Sequence, residues 1–266
     1  MHKRFVILLL LLPPLACSVT GQWAIQSAGF ADSLHSIQSI WAVDEHVAWA
    51  TADYDGPGDS TLQAFTRTLD GGQQWTAGSV AGMAGYSSSM IFALNADTAY
   101  ILFHHPEQDG GKLMRTGNGG QNWTHQASAE FSSAKEAYPN LVYFWDAQNG
   151  FLMGDPTDGY FEIYTTTNGG TLWTRVDSVN IPTIISGEYG YEREFTVIGN
   201  TVWFGTSKGR VFRSTDRGYH WTAINTPMLN TGRCRIVEFR DSLHGIVADR
   251  AGSLAVMYET DDGGQT

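Results

Sequence analysis

An eight-residue stretch recurs four times along the chain and is begun a fifth time. Its first copy is Thr68-Leu69-Asp70-Gly71-Gly72-Gln73-Gln74-Trp75 and its fourth is Ser214-Thr215-Asp216-Arg217-Gly218-Tyr219-His220-Trp221. Between them stand the copies built on Asn118 and Trp123 and on Asn168 and Trp173, and Thr260-Asp261-Asp262-Gly263-Gly264-Gln265-Thr266 follows. The pattern is Ser/Thr, any residue, Asp/Asn, any, Gly, two of any, Trp. Each copy lies between runs of strand-forming residues and so reads as the turn of a β-hairpin. Asp or Asn followed by Gly supplies the positive backbone angles of a tight turn. The Asp/Asn oxygen and the Ser/Thr hydroxyl are suited to bind nearby backbone N–H groups, and the tryptophan can plug the space beneath. These aspartates are therefore expected to fasten the turn, not to hold a metal or do chemistry.

The four tryptophans are 48, 50 and 48 residues apart. A period of this size, with strands and no helical pattern, marks a radial array of blades. Each repeat offers four strands. The first pairs Ile40-Trp41-Ala42-Val43 with Val47-Ala48-Trp49-Ala50, and the fifth pairs Arg235-Ile236-Val237-Glu238-Phe239 with Gly245-Ile246-Val247-Ala248. The expectation is an all-β propeller of four-stranded antiparallel blades, with four near-complete blades and most of a fifth, as a fragment of a larger ring. The alternative is a ring of five, closed by Gln22-Trp23-Ala24-Ile25-Gln26, which resembles the strand that follows each turn, for example Trp75-Thr76-Ala77-Gly78.

The repeated turn is that of the Asp-box or BNR repeat, and residues 38–266 resemble the Asp-box propellers typified by the photosystem II stability/assembly factor. Sialidases and sortilin-type receptors share the box. The resemblance implies a ring of about seven blades and a noncatalytic, partner-binding role for the assembly factors. For the sialidases it implies glycoside hydrolysis by a Tyr/Glu pair with an Asp acid and three arginines. No Arg-Ile-Pro stretch appears near the first blade, and the box is specific for architecture, not for activity.

Met1-His2-Lys3-Arg4 precedes an apolar run interrupted by Pro13-Pro14 that is too short to span a bilayer, so residues 1–21 read as an export signal and residues 22–266 as the propeller. A soluble secreted, periplasmic or cell-surface protein is expected. A lipid anchor at Cys17 is the alternative, although Pro14 stands where a lipobox has Leu. No later segment reads as a membrane span. The net charge of −11 becomes −13 without Lys3 and Arg4, which argues against nucleic acid and anionic lipid as partners. The cysteines are Cys17 and Cys234, so loss of the leader leaves Cys234 with no partner, expected to be a small buried residue.

Strand order fixes where a site can be. The repeat turns and the turns between first and second strands share one face. The long connections share the other: residues 53–59, 104–109, 130–139, 154–159 and 180–193. Long loops on one face of a rigid scaffold are where binding resides. The candidate binding residues are Asp155, Asp158, Glu188, Tyr189, Tyr191, Glu192 and Arg193, and the expected partner is a protein or peptide, with a glycan as a further candidate. The alternative is a glycoside hydrolase using a carboxylate pair such as Asp53 and Asp155. His104-His105 with Asp109 is a weak metal candidate, since adjacent histidines on a strand point to opposite faces. No cofactor motif is present: no phosphate loop, no dinucleotide fingerprint, no His-Glu-x-x-His.

Overall fold

In the computed structural model, the described residues are 25–30, 35–54, 63–105, 110–129, 131, 138–230, 232–251 and 254–265. Residues 1–21, expected to be an export signal, with Cys17, Trp23 and most of the 53–59, 104–109 and 130–139 connections, lie outside them.

Among the described residues, nineteen strands form five antiparallel sheets, each a simple meander in chain order. The first blade is β1(His35–Ala42), β2(Ala48–Tyr54), β3(Ala64–Thr68) and β4(Thr76–Ser79). The second is β5(Ser87–Ala93), β6(Ala99–His104), β7(Gly111–Thr116) and β8(Thr124–His125). The third is β9(Pro139–Phe144), β10(Gly150–Thr157), β11(Tyr160–Thr166) and β12(Thr174–Arg175). The fourth is β13(Phe195–Ile198), β14(Thr201–Gly205), β15(Arg210–Ser214) and β16(Thr222–Asn225). The fifth has three described strands, β17(Ile236–Phe239), β18(Gly245–Ala251) and β19(Leu254–Thr260).

The blades stand around an axis with their first strands innermost. Aromatic residues at matching places on successive inner strands touch in series: Trp41 meets Phe92 at 4.6 Å between ring centroids, Phe92 meets Tyr143 at 5.2 Å, and Tyr143 meets Phe195 at 5.9 Å. Four apolar clusters fill the structure, and those with tryptophan plugs lie between neighbouring blades. Trp123 of the second blade sits edge-on to Trp49 and Phe65 of the first, and Trp221 of the fourth packs on Phe151 of the third. The plug therefore joins one blade to the one before it. That burial of large rings between sheets is the main stabilising term available to a fold whose single described cysteine, Cys234, is buried and unpaired. The architecture is the all-β propeller the repeat predicts.

The repeat turns have one geometry. Thr68 Oγ1 donates to Asp70 Oδ1 (2.9 Å) and accepts from the N–H of Gly72 (2.9 Å), while Gln74 N–H reaches Asp70 Oδ1 (2.9 Å). The same three bonds recur at Asn118, Asn168 and Asp216, and at Asp262 with the third donated by Gln265, three residues on instead of four. The fourth residue of every copy, from Gly71 to Gly263, donates its N–H to the turn between first and second strands of its own blade. Both kinds of turn thus lie on one rim.

Candidate functional site

The opposite rim is shaped by irregularities in the strands that reach it. β1, β5 and β10 each carry a register shift at that end. In β10, Gly154 pairs with Glu162 and Pro156 with Phe161, which leaves Asp155 as the extra residue of a bulge. A bulge re-aims a side chain out of the pleat. Gly154 is required beside it, because a Cβ there would come within 2.4 Å of the Phe131 ring and 2.7 Å of the Tyr138 carbonyl.

The re-aimed Asp155 carboxyl points into the base of the connection that runs from β12 to β13. Its Oδ1 accepts from Asn140 Nδ2 (2.7 Å) and from the N–H of Gly190 (2.9 Å). Burial pushes its pKa up to about 6; the two hydrogen bonds oppose the shift and the neighbouring Glu192 adds to it. Glu192 accepts a short hydrogen bond from the Tyr138 hydroxyl, which also lies 2.9 Å from His104 Nδ1. Burial raises Glu192 as well, against the pull of Tyr138 and Arg193, and burial raises Tyr138. Four polar groups that are far apart in the chain, at positions 104, 138, 155 and 192, are thereby brought together.

The connection itself is a fixed frame. Glu188 is fully buried: its carboxylate takes the Arg210 guanidinium, the Thr206 hydroxyl (2.5 Å) and the N–H of Ile185 (2.9 Å). Tyr189 is tied through both backbone groups to Ser207. Arg193 adopts the left-handed backbone region (φ 63°), uncommon for a residue with a side chain and one form of local strain found at functional sites.

The candidate residues separate accordingly. Tyr191, Glu192 and Arg193 line one cleft of about 510 Å³ together with Glu194, Arg235 and Asp249. Tyr189 flanks it, its ring 5.6 Å from that of Tyr191, and the Arg235 guanidinium lies 5.4 Å over the Tyr191 ring. Asp155 stands behind Glu192. Asp158 falls away from the group: it is exposed at the tip of the β10–β11 hairpin with a left-handed backbone (φ 54°). Glu188 is corrected from a ligand-facing to a load-carrying role, because no face of its carboxylate reaches solvent. Its neighbours in the sequence, Tyr189 and Tyr191, made it look like part of an exposed polar cluster. Sequence reasoning missed Tyr138 and Asp249, and reached Arg235 only as one of three arginines, with Arg193 and Arg233, that a sialidase-type cluster would need. Tyr138 carried no local signal, whereas Arg235 and Asp249 sit at strand ends on the long-loop rim, and that position could have pointed to them.

No family model matches the sequence, and no curated protein matches it. Solved structures share the fold. A GH74 enzyme of Niastella koreensis superposes with a TM-score of 0.61 at 16% identity, over 86% of this chain and 37% of its own. The Hadza microbial sialidase Hz136 gives 0.54 at 12% identity, over 88% of this chain and 57% of its own. YCF48 from Cyanidioschyzon merolae gives 0.51 at 17% identity, over 88% and 84%. This chain thus spans little more than a third of the GH74 enzyme. At such identities the likeness is one of fold: a β-propeller, a scaffold on which the site and not the architecture sets the activity.

Proposed function

We propose that this chain is an exported, noncatalytic propeller that binds a protein or peptide partner through the rim opposite the repeat turns, at the cleft formed by Tyr191, Glu192, Arg193 and Arg235. The observation that carries this reading is the cleft itself. An aromatic pair, exposed arginines and carboxylates converge there on a connection anchored at Glu188, Asp155 and Ser207. A rigid rim of this kind loses little conformational entropy on binding, and aromatic residues with arginine are the side chains that dominate recognition sites. The binding test immobilises the protein, captures partners from the extracellular fraction of its source, and repeats the capture with Tyr191→Ala and Arg235→Ala. Specific recovery that both substitutions reduce at least about tenfold, equal to about 1.4 kcal/mol, supports the reading. Equal recovery by wild type and both variants sinks it.

A second reading, a glycoside hydrolase, is favoured by a specific arrangement. Asp155, pushed up to about 6, keeps its proton to a higher pH than an ordinary carboxyl, the direction a general acid needs, and the Tyr138–Glu192 pair stands beside it. Turnover of fluorogenic sialosides or β-glucans that Asp155→Asn abolishes would replace the first reading with this one. No turnover over a broad glycoside panel removes it.

A further inference from the structure

The charged groups of the cleft can be followed one by one to their partners. Three carboxylates line it, Glu192, Glu194 and Asp249, with two guanidiniums, Arg193 and Arg235. Arg193 pairs with Glu192 at 3.5 Å, and Glu192 also takes the Tyr138 hydroxyl. Arg235 lies over the Tyr191 ring. Asp249, 7% exposed, accepts the N–H of Arg233 at 3.0 Å. Glu194 differs from the other four. Among the described residues no hydrogen bond, ion pair or ring contact reaches its side chain.

The fold holds Glu194 in that state. Thr196 Oγ1 donates to the Val237 carbonyl (2.7 Å) and to Glu238 Oε2 (3.2 Å), which ties the inner strands of the fourth and fifth blades together. Side chains two apart share a face of a strand, so Glu194, two residues before Thr196, lies on the Glu238 side and nearer the long-loop rim. Burial and Glu238 push the Glu194 carboxyl up, against the through-space pull of Arg193 and Arg235. A half-buried carboxylate beside a like charge, with no donor on it, is unfavourable in the free protein, and a cation arriving there relieves it. Apolar surface stands in the same cleft: Ile236, 46% exposed, and the Tyr191 ring.

We propose that the cleft reads a lysine or arginine side chain of its partner, with the cation on Glu194 and the aliphatic stem along Ile236 and Tyr191. This rests on the reading of the cleft as the partner site and adds the chemistry of what enters it. Long cationic side chains bury their stems on apolar surface while the charged head finds its counter-ion. An α-amino terminus has no stem and would leave Ile236 bare. Arg193 and Arg235 keep their own partners, so the incoming cation displaces neither. Carboxylates outnumber guanidiniums in the lining, while outside it Glu238 and the exposed Arg233 offset one another. The net charge of −11 steers a basic segment towards the same place.

The test passes a random hexapeptide library, acetylated and amidated at its ends, over the immobilised full chain at low salt and sequences what is retained. Lysine and arginine should be enriched at least about threefold over the input. That enrichment should vanish in Glu194→Gln, which keeps the shape of the side chain and removes its charge, and at about 0.5 M NaCl. It should persist in Glu45→Gln, a control at an exposed carboxylate of the turn rim. Tyr191→Ala should lower total retention at least about tenfold. Retained peptides rich in acidic or uncharged residues, with retention lost in Tyr191→Ala, keep the cleft as the partner site and overturn the basic-residue assignment. Basic enrichment undiminished in Glu194→Gln overturns it too. No retention, or retention that Tyr191→Ala leaves unchanged, defeats the cleft reading itself and this proposal with it.

Discussion

On one rim of the propeller, carboxylates are held in their charged form by the backbone. Asp70 takes the N–H of Gln74, Asp44 those of His46 and Val47, and Asp241 those of His244 and Leu243; these bonds hold each below its ordinary range. Asp146 is lowered chiefly by the Asn149 side chain. On the other rim Asp155, Glu192 and Glu194 are all raised, and burial is the first cause each time. The same functional group thus has opposite fates on the two rims. Where the backbone supplies donors within a few residues, a carboxylate is used up locally and serves the turn. Where the chain buries it against distant elements, its charge is costly, and it keeps a proton or a hydrogen-bonding capacity that a ligand can use.

The largest test of this contrast removes a buried charge from the long-loop rim. Glu188→Ala leaves Arg210, 8% exposed, with no carboxylate against it and frees the connection that carries Tyr189 and Tyr191. A loss of about 3–5 kcal/mol in denaturant unfolding is expected, as for other broken buried pairs. A loss below about 1 kcal/mol would mean that this connection is not held as described.

Next in size is the pH dependence of Asp155. A carboxyl raised in the folded state stabilises it below the ordinary pKa of 3.8, and that contribution is lost as pH rises through about 6. The turn aspartates act in the other direction: their contribution is present above the ordinary carboxylate range and is lost as pH falls below it. Asp155→Asn keeps an Oδ1 acceptor for Asn140 and Gly190 while removing the charge. The substitution should flatten the stability profile between pH 4 and 7 and gain on the order of 3 kcal/mol relative to wild type at pH 8. A parallel pair of profiles for wild type and variant would contradict the raised pKa.

The turn rim was legible because its chemistry is local. Ser/Thr, Asp/Asn and Gly within five residues determine the three hydrogen bonds of each turn, and a tryptophan at fixed spacing sets the plug, so the blades, their number in this chain and their strand order could be read directly. The site was legible only as a rim. That Asp155 would be the extra residue of a bulge, or that Tyr138 would reach across to Glu192, depends on how blades turn against one another. Glu188 shows the failure most clearly: between Gly187 and Tyr189 it reads as surface, yet Arg210 on a strand of the next blade takes it inside. The polar turns between first and second strands are a second local regularity: Asp44, Asn95, Asp146 and Asp241 recur at the first turn of four blades, each binding two backbone N–H groups.

A glycine on each rim separates packing from backbone strain. Gly120 (φ 83°) and Gly82 (φ 81°) share a left-handed conformation, but a Cβ on Gly120 would meet the Phe65 ring at 2.2 Å, whereas one on Gly82 would meet nothing within 4 Å. Alanine should cost about 1 kcal/mol at Gly82 from the backbone alone. At Gly120 it should cost about 2 kcal/mol more, because the first and second blades must part. Equal costs in chemical denaturation would show that the turn rim is not clamped to its neighbour.

The smallest expected effect is the most useful for the proposed binding cleft. The Tyr191 hydroxyl is buried with no hydrogen-bond partner among the described residues, while its ring lies beside Tyr189 and under Arg235. Tyr191→Phe retains every ring contact and removes only an unpaired polar atom, whose burial is unfavourable, so stability should change by no more than about 0.5 kcal/mol and in the favourable direction. Partner capture should nevertheless fall by about fivefold or more if the hydroxyl completes a hydrogen bond in the complex, about 1 kcal/mol at that atom. A variant more stable than wild type that captures its partner just as well would place recognition elsewhere on the rim and reduce Tyr191 to packing for Arg235.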